Sequence, residues 1–506
     1  MTAPEGADRR LSLDKVVLAE QPVPMLELSG PLGGEHPASV ALSGARQRLG
    51  GTITTTDTHW RASVPLLASR WDDAKRPPAS GRYRLQLETD SGRRIPLAVT
   101  GTLPTERLVP GAFRIDFTAS ETGLVVEFSA PLGDSELGPD RQTQLEAAYR
   151  SADYAPMNAV FFESFYGQTA SCNPLAIDRE LAAVRPDIAR YWSVVDASVR
   201  VPDGAVAIIE GSEEWWRIRG SARLLVINDW MRKRYRKRPH QKVLQTWHGT
   251  MLKRIALNRL GFRPRAAVAA LRERARWDIL LSENPHSSRI FRSAYAYFGP
   301  IWEAGYPRND VLRHPGPDGL RARLGIPDDV TVLLYAPTWR DDRPEQVDHL
   351  DVSAFTEALG PGYVTLIRGH SRSLRPGRDL HAPGVVDVTT YPDVSDLFLV
   401  ADALITDYSS VMFDFTVTGK PLFFFVPDFE NYRVHLRGFY FDLIDAAPGP
   451  VVRTSAELVS LVHDRDAVRG DYAAKYLAWQ RRFNPHDDGK AAQRVVARLL
   501  EKGIIG

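Results

Sequence analysis

Hydrophobic and polar residues alternate with a period of two along the first part of the chain, from about Leu11 to Ala130. The alternating stretches are short and are separated by clusters of Gly, Pro and Asp, a spacing typical of antiparallel β-sandwiches. We expect strands at 38–42, 51–56, 83–88, 95–99, 113–117 and 124–128. Because no reactive cluster lies on them, the pattern predicts a β-rich accessory domain over residues 1–135 and a linker over 136–155.

After Pro156 the pattern changes to short apolar runs that alternate with longer amphipathic segments, which indicates βαβ units around parallel sheets. A break rich in Pro and Gly at 315–317 separates two such series, so the fold class is α/β with two successive halves, 156–315 and 316–480. We expect residues 481–506 to form a helix that packs back across the halves. The predicted strands lie at 159–162, 205–209, 224–227, 243–246, 278–281, 301–304, 330–335, 363–367, 385–388, 404–406 and 422–426.

Composition places the chain among folded globular proteins, with 43% hydrophobic and 25% charged residues over a length of 506. The 64 basic and 62 acidic residues nearly cancel, which argues against a protein that binds nucleic acid through bulk charge. One segment, 232–238, is strongly basic, and it would suit an anionic membrane surface or a polyphosphate, although a solvated loop explains it equally well. Its cations are Arg232, Lys233, Arg234, Arg236, Lys237 and Arg238.

The chain has a single cysteine, Cys172, so no disulfide can form within it. No apolar run approaches the roughly 20 residues of a membrane span, and residues 1–10 lack the apolar core of a signal peptide. We therefore expect a cytoplasmic protein that associates with membranes peripherally. A homo-oligomer is compatible with the sequence.

Polar clusters follow nearly every predicted strand of the two halves, at the sheet edge where open parallel sheets bind ligands. In ITDYSSVMFDF at 405–415, a buried strand leads through a polar turn into a helix, an arrangement that suits a diphosphate. An ordinary helix cap is the competing interpretation. The candidate donor-binding residues of this segment are Thr406, Ser409, Ser410 and Asp414.

Two histidines and two arginines are the other candidates for chemistry. His248 and His370 each follow a predicted strand in a different half, where an imidazole could accept a proton from an attacking hydroxyl. Arg308 and Arg340 lie in turns, and a guanidinium matches phosphate oxygens with two parallel bonds. A structural hydrogen bond for each histidine, and an ion pair with Asp310 or Asp341 for the arginines, are the alternatives.

The sequence contains none of several signatures that would indicate another chemistry. We find no paired-cysteine or His-Glu-x-x-His metal motif, so no metal or other cofactor is expected. A Walker loop, a Gly-x-Gly-x-x-Gly fingerprint and a Gly-x-Ser-x-Gly elbow are also absent from the sequence, which weakens ATPase, dehydrogenase and hydrolase interpretations.

Several ordered motifs between about 159 and 495 resemble the CDP-glycerol glycerophosphotransferase family of teichoic acid and capsule polymerases and single-addition enzymes. The motifs are FESF at 162–165 with Gly167, LQTWHGT at 244–250, SENPHSS at 282–288, GYPRND at 305–310, YAPTWRDD at 335–342, ITDYSSVMFDF, YRVHLRGFYFD at 432–442 and DDGK at 487–490.

The resemblance implies a GT-B fold, two Rossmann-like domains with the CDP-linked donor in the C-terminal one and the acceptor entering from the N-terminal one. It implies that His248 and His370 are important for transfer of a polyol phosphate to a lipid-linked acceptor at the inner face of the membrane, with release of CMP. Residues of these motifs expected at the acceptor side or in secondary roles are Glu163, Gly249, Thr250, Lys253 and Ser282.

The chain departs from the family at Met251 and Ser371, where the family usually has proline, so the donor, glycerol or ribitol or another polyol, stays open. A nucleotide-sugar glycosyltransferase would use the same fold and the same diphosphate site, and a membrane-surface scaffold without activity is a further alternative. Whether one unit or many are added also stays open.

Overall fold

The computed structural model describes residues 10–69, 71, 74–231, 235–261, 263–316, 319–338, 349–369, 382–429 and 438–506. The N-terminal part consists of β-strands joined by turns, and we call it the β domain. Its strands are β1 (Leu11–Leu13), β2 (Lys15–Ala19), β3 (Met25–Pro31), β4 (Ser39–Ser43), β5 (Arg48–Thr55), β6 (His59–Pro65), β7 (Gly81–Glu88), β8 (Arg94–Ile95), β9 (Leu97–Val99), β10 (Arg107–Val109), β11 (Phe113–Ser120) and β12 (Gly123–Ser129).

Most strands of the β domain form one continuous antiparallel path, β10-β11-β12-β7-β4-β5-β6-β3-β2, with β8 beside β7 and a short parallel pair β1-β9. The path bends within β5, which pairs with β4 up to Gly51 and with β6 from Thr52 onward. Gly51 is required there because a Cβ would lie 2.4 Å from the carbonyl oxygen of Ser63. The bent sheet encloses one core around Trp60 and Phe128, so the antiparallel β domain is confirmed, as one folded sheet.

The first α/β half contains the strands β13 (Met157–Glu163), β14 (Ala189–Val194), β15 (Val206–Ile209), β16 (Ala222–Ile227), β17 (Lys242–Gln245), β18 (Ile279–Ser282) and β19 (Ile301–Glu303). They run parallel in the order β15-β14-β13-β16-β17-β18-β19. The helices around them are α1 (Pro139–Ser151), α2 (Cys172–Val184), α3 (Glu213–Ser221), α4 (Pro264–Arg274) and α5 (Pro285–Ala294), and 3-10 turns lie at Phe165–Gly167, Ala256–Asn258 and Pro307–Arg313.

The second α/β half repeats this organisation with β20 (Thr331–Ala336), β21 (Tyr363–Ile367), β22 (Val385–Asp387), β23 (Ala403–Thr406), β24 (Leu422–Phe425) and β25 (Val451–Val452), parallel in the order β22-β21-β20-β23-β24-β25. Its helices are α6 (Leu320–Arg323), α7 (Val352–Leu359), α8 (Val394–Val400), α9 (Val411–Phe415), α10 (Leu443–Ala446), α11 (Ser455–His463), α12 (Arg465–Asp471) and α13 (Ala473–Phe483), with a 3-10 turn at Thr416–Thr418.

The last helix, α14 (Ala491–Glu501), leaves the second half and packs on the first. Trp479 and Phe483 of α13 belong to the core of the second half, whereas Val495 and Leu499 of α14 belong to the core of the first. The segment between the two helices, 484–490, therefore crosses from one half to the other. The exact domain boundaries given above stay a prediction.

The strands predicted for the two halves are confirmed to within one to three residues at their ends, and β14 and β25 were missed. β14 contains Arg190, which breaks the apolar pattern of a buried strand. In the structure Arg190 pairs with the buried carboxylate of Asp178 at 3.0 Å, so its charge is compensated inside the fold. Among the described residues, no helix combines the length and the hydrophobicity that crossing a bilayer requires.

Candidate active site

Both parallel sheets place their first strand beside their fourth, so that each has a switch point where successive connections leave in opposite directions. In the first half this point lies between β13 and β16, and in the second half between β20 and β23. Ligands of such sheets bind in the crevice outside the carboxyl ends of these strands. The residues directly after the four strands are therefore the first to consider.

His248 is held at the first switch point by the residue that follows β16. The carbonyl oxygen of Asn228 lies 2.6 Å from Nδ1 of the imidazole, and the Asn228 side chain accepts a hydrogen bond from the backbone N–H of Phe165 at 2.8 Å. Because a carbonyl can only accept, Nδ1 is the protonated nitrogen of the neutral ring and Nε2 keeps its lone pair. Nε2 is therefore the nitrogen able to accept a proton.

Aromatic rings fix the plane of the His248 imidazole. The indole of Trp247 stacks on it with centroids 5.3 Å apart, and the ring of Phe165 meets it edge-on at 5.6 Å. Three of the residues around it, Trp247, Phe165 and Tyr166, have φ values of 56°, 46° and 57°, a conformation that costs L-residues energy and persists only where the surroundings impose it. The surroundings here keep one half-buried imidazole in one orientation.

The turn after His248 touches the second half directly. A Cβ on Gly249 would lie 2.7 Å from Oγ and 3.0 Å from Cβ of Ser410, so only glycine allows this approach. Ser409 and Ser410 are half-buried residues at the start of α9, and the hydroxyl of Ser410 makes no capping bond to that helix. The structure thus brings together three sequence-predicted site residues, His248, Gly249 and Ser410.

Asp407 organises the second switch point. Its carboxylate accepts hydrogen bonds from the backbone N–H of Thr338 at 2.8 Å and from that of Tyr408 at 2.5 Å. These bonds join the loop after β20 to the loop after β23. Thr406, predicted to bind the donor, is fully buried and donates its hydroxyl hydrogen to the carbonyl of Ala336 at 2.8 Å, so it stabilises strand pairing.

Arg308 and Asp414 form an ion pair between the two halves. The guanidinium donates to the Asp414 carboxylate at 3.0, 2.8 and 2.7 Å, and to the carbonyl of His248 at 2.9 Å. Burial alone would lower the pKa of the Arg308 guanidinium. The negative charge of Asp414 outweighs this effect and raises the pKa of Arg308 well above its ordinary value. Arg308 and Asp414 satisfy each other here, and direct binding of a diphosphate by either stays a prediction.

Asn173 connects α2 to the same junction. Its amide donates to the carbonyls of Thr246 and Trp247 at 3.2 and 3.1 Å. Its side-chain oxygen accepts the backbone N–H of Arg308 at 3.1 Å. Asn173 therefore ties the His248 loop to the Arg308 loop.

A buried cluster of acidic and amide side chains lies behind the ion pair. Thr250 donates to the Glu283 carboxylate, and Asn484 donates to Asp487 at 2.9 Å and to Glu283 at 3.4 Å. Burial first, and then the carboxylates of Asp487 and Asp414, raise the pKa of Glu283 well above its ordinary value. Glu283 is thus expected to keep its proton to higher pH than an exposed glutamate does.

The remaining predicted secondary residues have structural contacts. Glu163 accepts a hydrogen bond from Ser193 at 2.8 Å. Ser282 is fully buried and donates to the carbonyl of Asn284 at 2.9 Å. The half-buried Lys253 forms an isolated antiparallel bridge with Phe439 of the second half.

Part of the predicted set lies outside the described residues, namely His370, Arg340, Arg232, Lys233 and Arg234. Of the remaining basic segment, Lys237 forms an ion pair with Asp278 at 2.7 Å, and Arg236 donates to the carbonyl of Arg150. Arg238 is 7% exposed and donates to the carbonyl of Tyr149 at 2.6 Å. The expectation that Arg238 faces a membrane is therefore wrong, because its guanidinium is buried and donates to a backbone carbonyl inside the fold.

Sequence reasoning assigned no role to Asn228, Glu283, Asp407 or Asn484. Asn228 and Asp407 follow strands directly, so their positions alone could have identified them. Glu283 and Asn484 lie in or beside quoted motifs, but only the packing of the two halves makes them neighbours. In the parts of the chain described, no group of three or more His, Cys, Asp or Glu side chains is arranged to hold a metal ion.

The raised pKa of Glu283 predicts how stability varies with pH. An unfolded glutamate releases its proton near pH ~4.3, whereas folded Glu283 keeps it to higher pH, so the free energy of unfolding should fall as pH rises toward the folded pKa. Glu283→Gln, which keeps the acceptor oxygen and a donor without titrating, should flatten the fall in melting temperature as pH rises above the unfolded pKa of about 4.3. Exposed Glu213→Gln is the control, and parallel profiles for wild type and Glu283→Gln would contradict the prediction.

Comparison with known proteins matches this chain to one family. The model for CDP-Glycerol:Poly(glycerophosphate) glycerophosphotransferase matches residues 148–501. The teichoic acid glycerol-phosphate transferase of Staphylococcus aureus (strain NCTC 8325 / PS 47) is 36% identical over 68% of this chain and 93% of its own length.

Longer relatives and solved structures agree with this match. The teichoic acid poly(glycerol phosphate) polymerase of Bacillus subtilis (strain 168) is 35% identical over 68% of this chain and 48% of its own length, so this chain spans about half of that polymerase. The structure of the wall teichoic acid polymerase TagF is 34% identical over 72% of this chain and 94% of that chain, with a TM-score of 0.66. A TagF variant soaked with CDPG superposes with a TM-score of 0.67. This chain belongs to the CDP-glycerol:poly(glycerophosphate) glycerophosphotransferase family.

Proposed function

We propose that this protein transfers glycerol phosphate, or a related polyol phosphate, from a CDP-activated donor to a lipid-linked acceptor and releases CMP. Transfer of polyol phosphate in teichoic acid synthesis follows from membership of the family. The observation that supports it most directly is the contact between the His248–Gly249 turn of one half and Ser410 of the other. A base and an anion-binding turn are thereby adjacent across the junction.

The two α/β halves would act as the two domains of a GT-B fold. Both have the strand order of a dinucleotide-binding sheet, with switch points at Asn228 in the first half and at Asp407 in the second. The donor diphosphate would lie at the second switch point, near the Thr338 and Ser409–Ser410 backbone, where N–H groups and hydroxyls favour anions. The acceptor would approach from the first half, beside Nε2 of His248.

Chemistry at this junction would be an in-line displacement at the phosphorus that bears the polyol. The acceptor hydroxyl forms the new P–O bond, its proton moves to Nε2 of His248, and the P–O bond to CMP breaks. Catalysis of this kind depends mainly on positioning and on stabilising charge that moves onto the leaving group. The hydrogen bond from Nδ1 to the carbonyl of Asn228 stabilises the imidazolium formed after proton transfer. His370 and Arg340 stay sequence-based candidates for the charge on the diphosphate.

A peripheral position on an anionic membrane surface is supported by one face of the first half. Helix α4 exposes Val268 and Leu271, and the nearby side chain of Phe298 is 79% exposed. Arg274 of α4 donates to the carbonyl of Ala296, which holds the Phe298 loop beside the helix. Basic residues accompany this apolar surface on the same helix and just before it, namely Arg263, Arg265 and Arg272. Apolar side chains with flanking arginines suit insertion between lipid headgroups.

Substitution of the base should separate catalysis from donor binding. In His248→Ala, release of CMP from CDP-glycerol should fall by about 10²–10⁴-fold, because general base catalysis contributes on this scale. Donor affinity, measured by calorimetry, should stay within about twofold because the donor lies on the other half. The matched control is His59→Ala, an exposed histidine of the β domain. Full turnover in His248→Ala would remove the assignment, and release of UDP from UDP-sugars would favour a glycosyltransferase.

The contact at Gly249 should be sensitive to a single methyl group. Gly249→Ala places a Cβ within 2.7 Å of the Ser410 hydroxyl, so the halves must separate slightly, and we expect kcat to fall by about tenfold to a hundredfold. Gly362→Ala is the control, since a Cβ there meets no atom within 4 Å. Equal rates in the two variants would show that the contact does not matter for catalysis.

Vesicle binding tests the membrane surface. Val268→Asp combined with Leu271→Asp should reduce co-sedimentation with phosphatidylglycerol vesicles by at least about tenfold, because two exposed apolar side chains are replaced by charges of the lipid's own sign. The control is Leu477→Asp, which replaces an exposed leucine on the second half. This variant should bind as wild type does. Equal binding by the wild type and by the Val268→Asp, Leu271→Asp double variant would place the membrane contact elsewhere.

A further inference from the structure

The β domain precedes the residues shared with the family, 148–501, yet it contacts both α/β halves. It touches the first half through Ser80 and Arg46, and the second half through Trp71. Contact areas between domains of one chain are commonly small enough to allow relative motion. A domain attached to both halves would restrict such motion.

The contact with the first half is built on a buried carboxylate. Asp196 is 2% exposed, and its Oδ2 accepts the backbone N–H of Ser80 at 2.7 Å. Its other oxygen accepts the N–H and the hydroxyl of Ser198 at 3.0 and 2.6 Å. Close by, Arg46 of the β domain donates to the side chain of Gln168.

These two points lie directly behind the loop that orients His248. The carbonyl of Gly167, next to Gln168, accepts the N–H of Val195, next to Asp196, at 3.0 Å. The same loop contains Phe165, whose ring lies 5.6 Å from the imidazole and whose φ of 46° must be imposed by its surroundings. The β domain contacts this loop at Gln168, three residues after Phe165.

The contact with the second half is aromatic. The indole of Trp71 meets the ring of Tyr391 edge-to-face, with centroids 5.4 Å apart, and packs on the core of that half. The carbonyl of Tyr391 accepts a hydrogen bond from Arg368 at 2.8 Å. Arg368 follows β21, at the edge of the sheet where ligands of parallel sheets bind.

We propose that the β domain sets the separation of the two α/β halves, with Trp71 and Asp196 as positioning residues for the transfer reaction. Each of its contacts ends on a segment that supports the carboxyl-end edge of one sheet. The arrangement keeps the His248 turn against the Ser410 turn when no substrate holds them together. The proposal rests on the proposed transfer for its effect on rate, but its structural part can be tested without substrate.

The separation can be measured by energy transfer between two dyes. Cys172 is buried, so Arg217→Cys on α3 and Glu357→Cys on α7, both exposed, provide one labelling site on each half. In the labelled protein without substrate, Trp71→Ala should lengthen the mean distance and widen its distribution. Trp71→Phe, which keeps an aromatic edge, should restore most of the wild-type distribution.

The rate of CMP release from CDP-glycerol is the second measurement. We expect Trp71→Ala to lower kcat by about tenfold or more, because small misplacements of reacting groups are costly. The KM for CDP-glycerol should stay within about twofold, because the donor lies within one half and its binding does not require a fixed separation of the two halves. Arg82→Ala, at a position of the β domain whose side chain is 77% exposed, is the matched control and should change neither quantity. Asp196→Asn, at the contact with the first half, should resemble Trp71→Ala in both measurements.

The outcomes separate this proposal from the proposed function. If the wild type releases no CMP from CDP-glycerol, the transfer assignment fails, whereas the distance measurement still decides the role of the β domain. Unchanged distances and an unchanged kcat in both Trp71→Ala and Asp196→Asn would overturn the proposal. An altered distance with an unchanged kcat would overturn the claim that Trp71 and Asp196 are positioning residues for the transfer reaction.

Discussion

The ion pair between Arg308 and Asp414 is the interaction on which the rest of the site depends. It joins the loop after β19 to helix α9, and the same guanidinium donates to the carbonyl of His248. Because both charges are buried, loss of either partner would leave the other uncompensated, at a cost of about 3–5 kcal/mol. This requirement favours one register of the two halves, the register in which Gly249 approaches Ser410.

Around that pair, the His248 turn is held by polar groups that belong to different segments of the chain. Asn173 bonds the carbonyls before His248, Asn228 bonds its imidazole, and Thr250 after it donates to Glu283. Buried polar groups that are all satisfied make a rigid arrangement, since breaking one bond leaves its partner without water or another donor. The strained φ of Trp247 is tolerated for the same reason. The imidazole is therefore oriented before any substrate arrives.

The C-terminal segment and the β domain connect the halves on either side of this junction. Helix α13 packs on the second half and α14 on the first, and Asn484 and Asp487 between them bond the acidic cluster around Glu283. The β domain adds contacts at Asp196 and Tyr391. An enzyme that transfers a polyol phosphate must place both substrates within bonding distance, and these connections restrict how far the halves can separate.

The sequence alone determined most of the parallel strands of both halves, the antiparallel β domain and His248 as a residue at the carboxyl end of a strand, because hydrophobic periodicity and strand-end chemistry are local properties. It did not determine that Arg308 pairs with Asp414, 106 residues away, that Arg238 is buried, or that Asn173 bonds the His248 loop. Such pairings depend on which side chains meet once the halves are packed, and a buried charge takes whichever partner the packing provides. Only the tertiary structure could decide them.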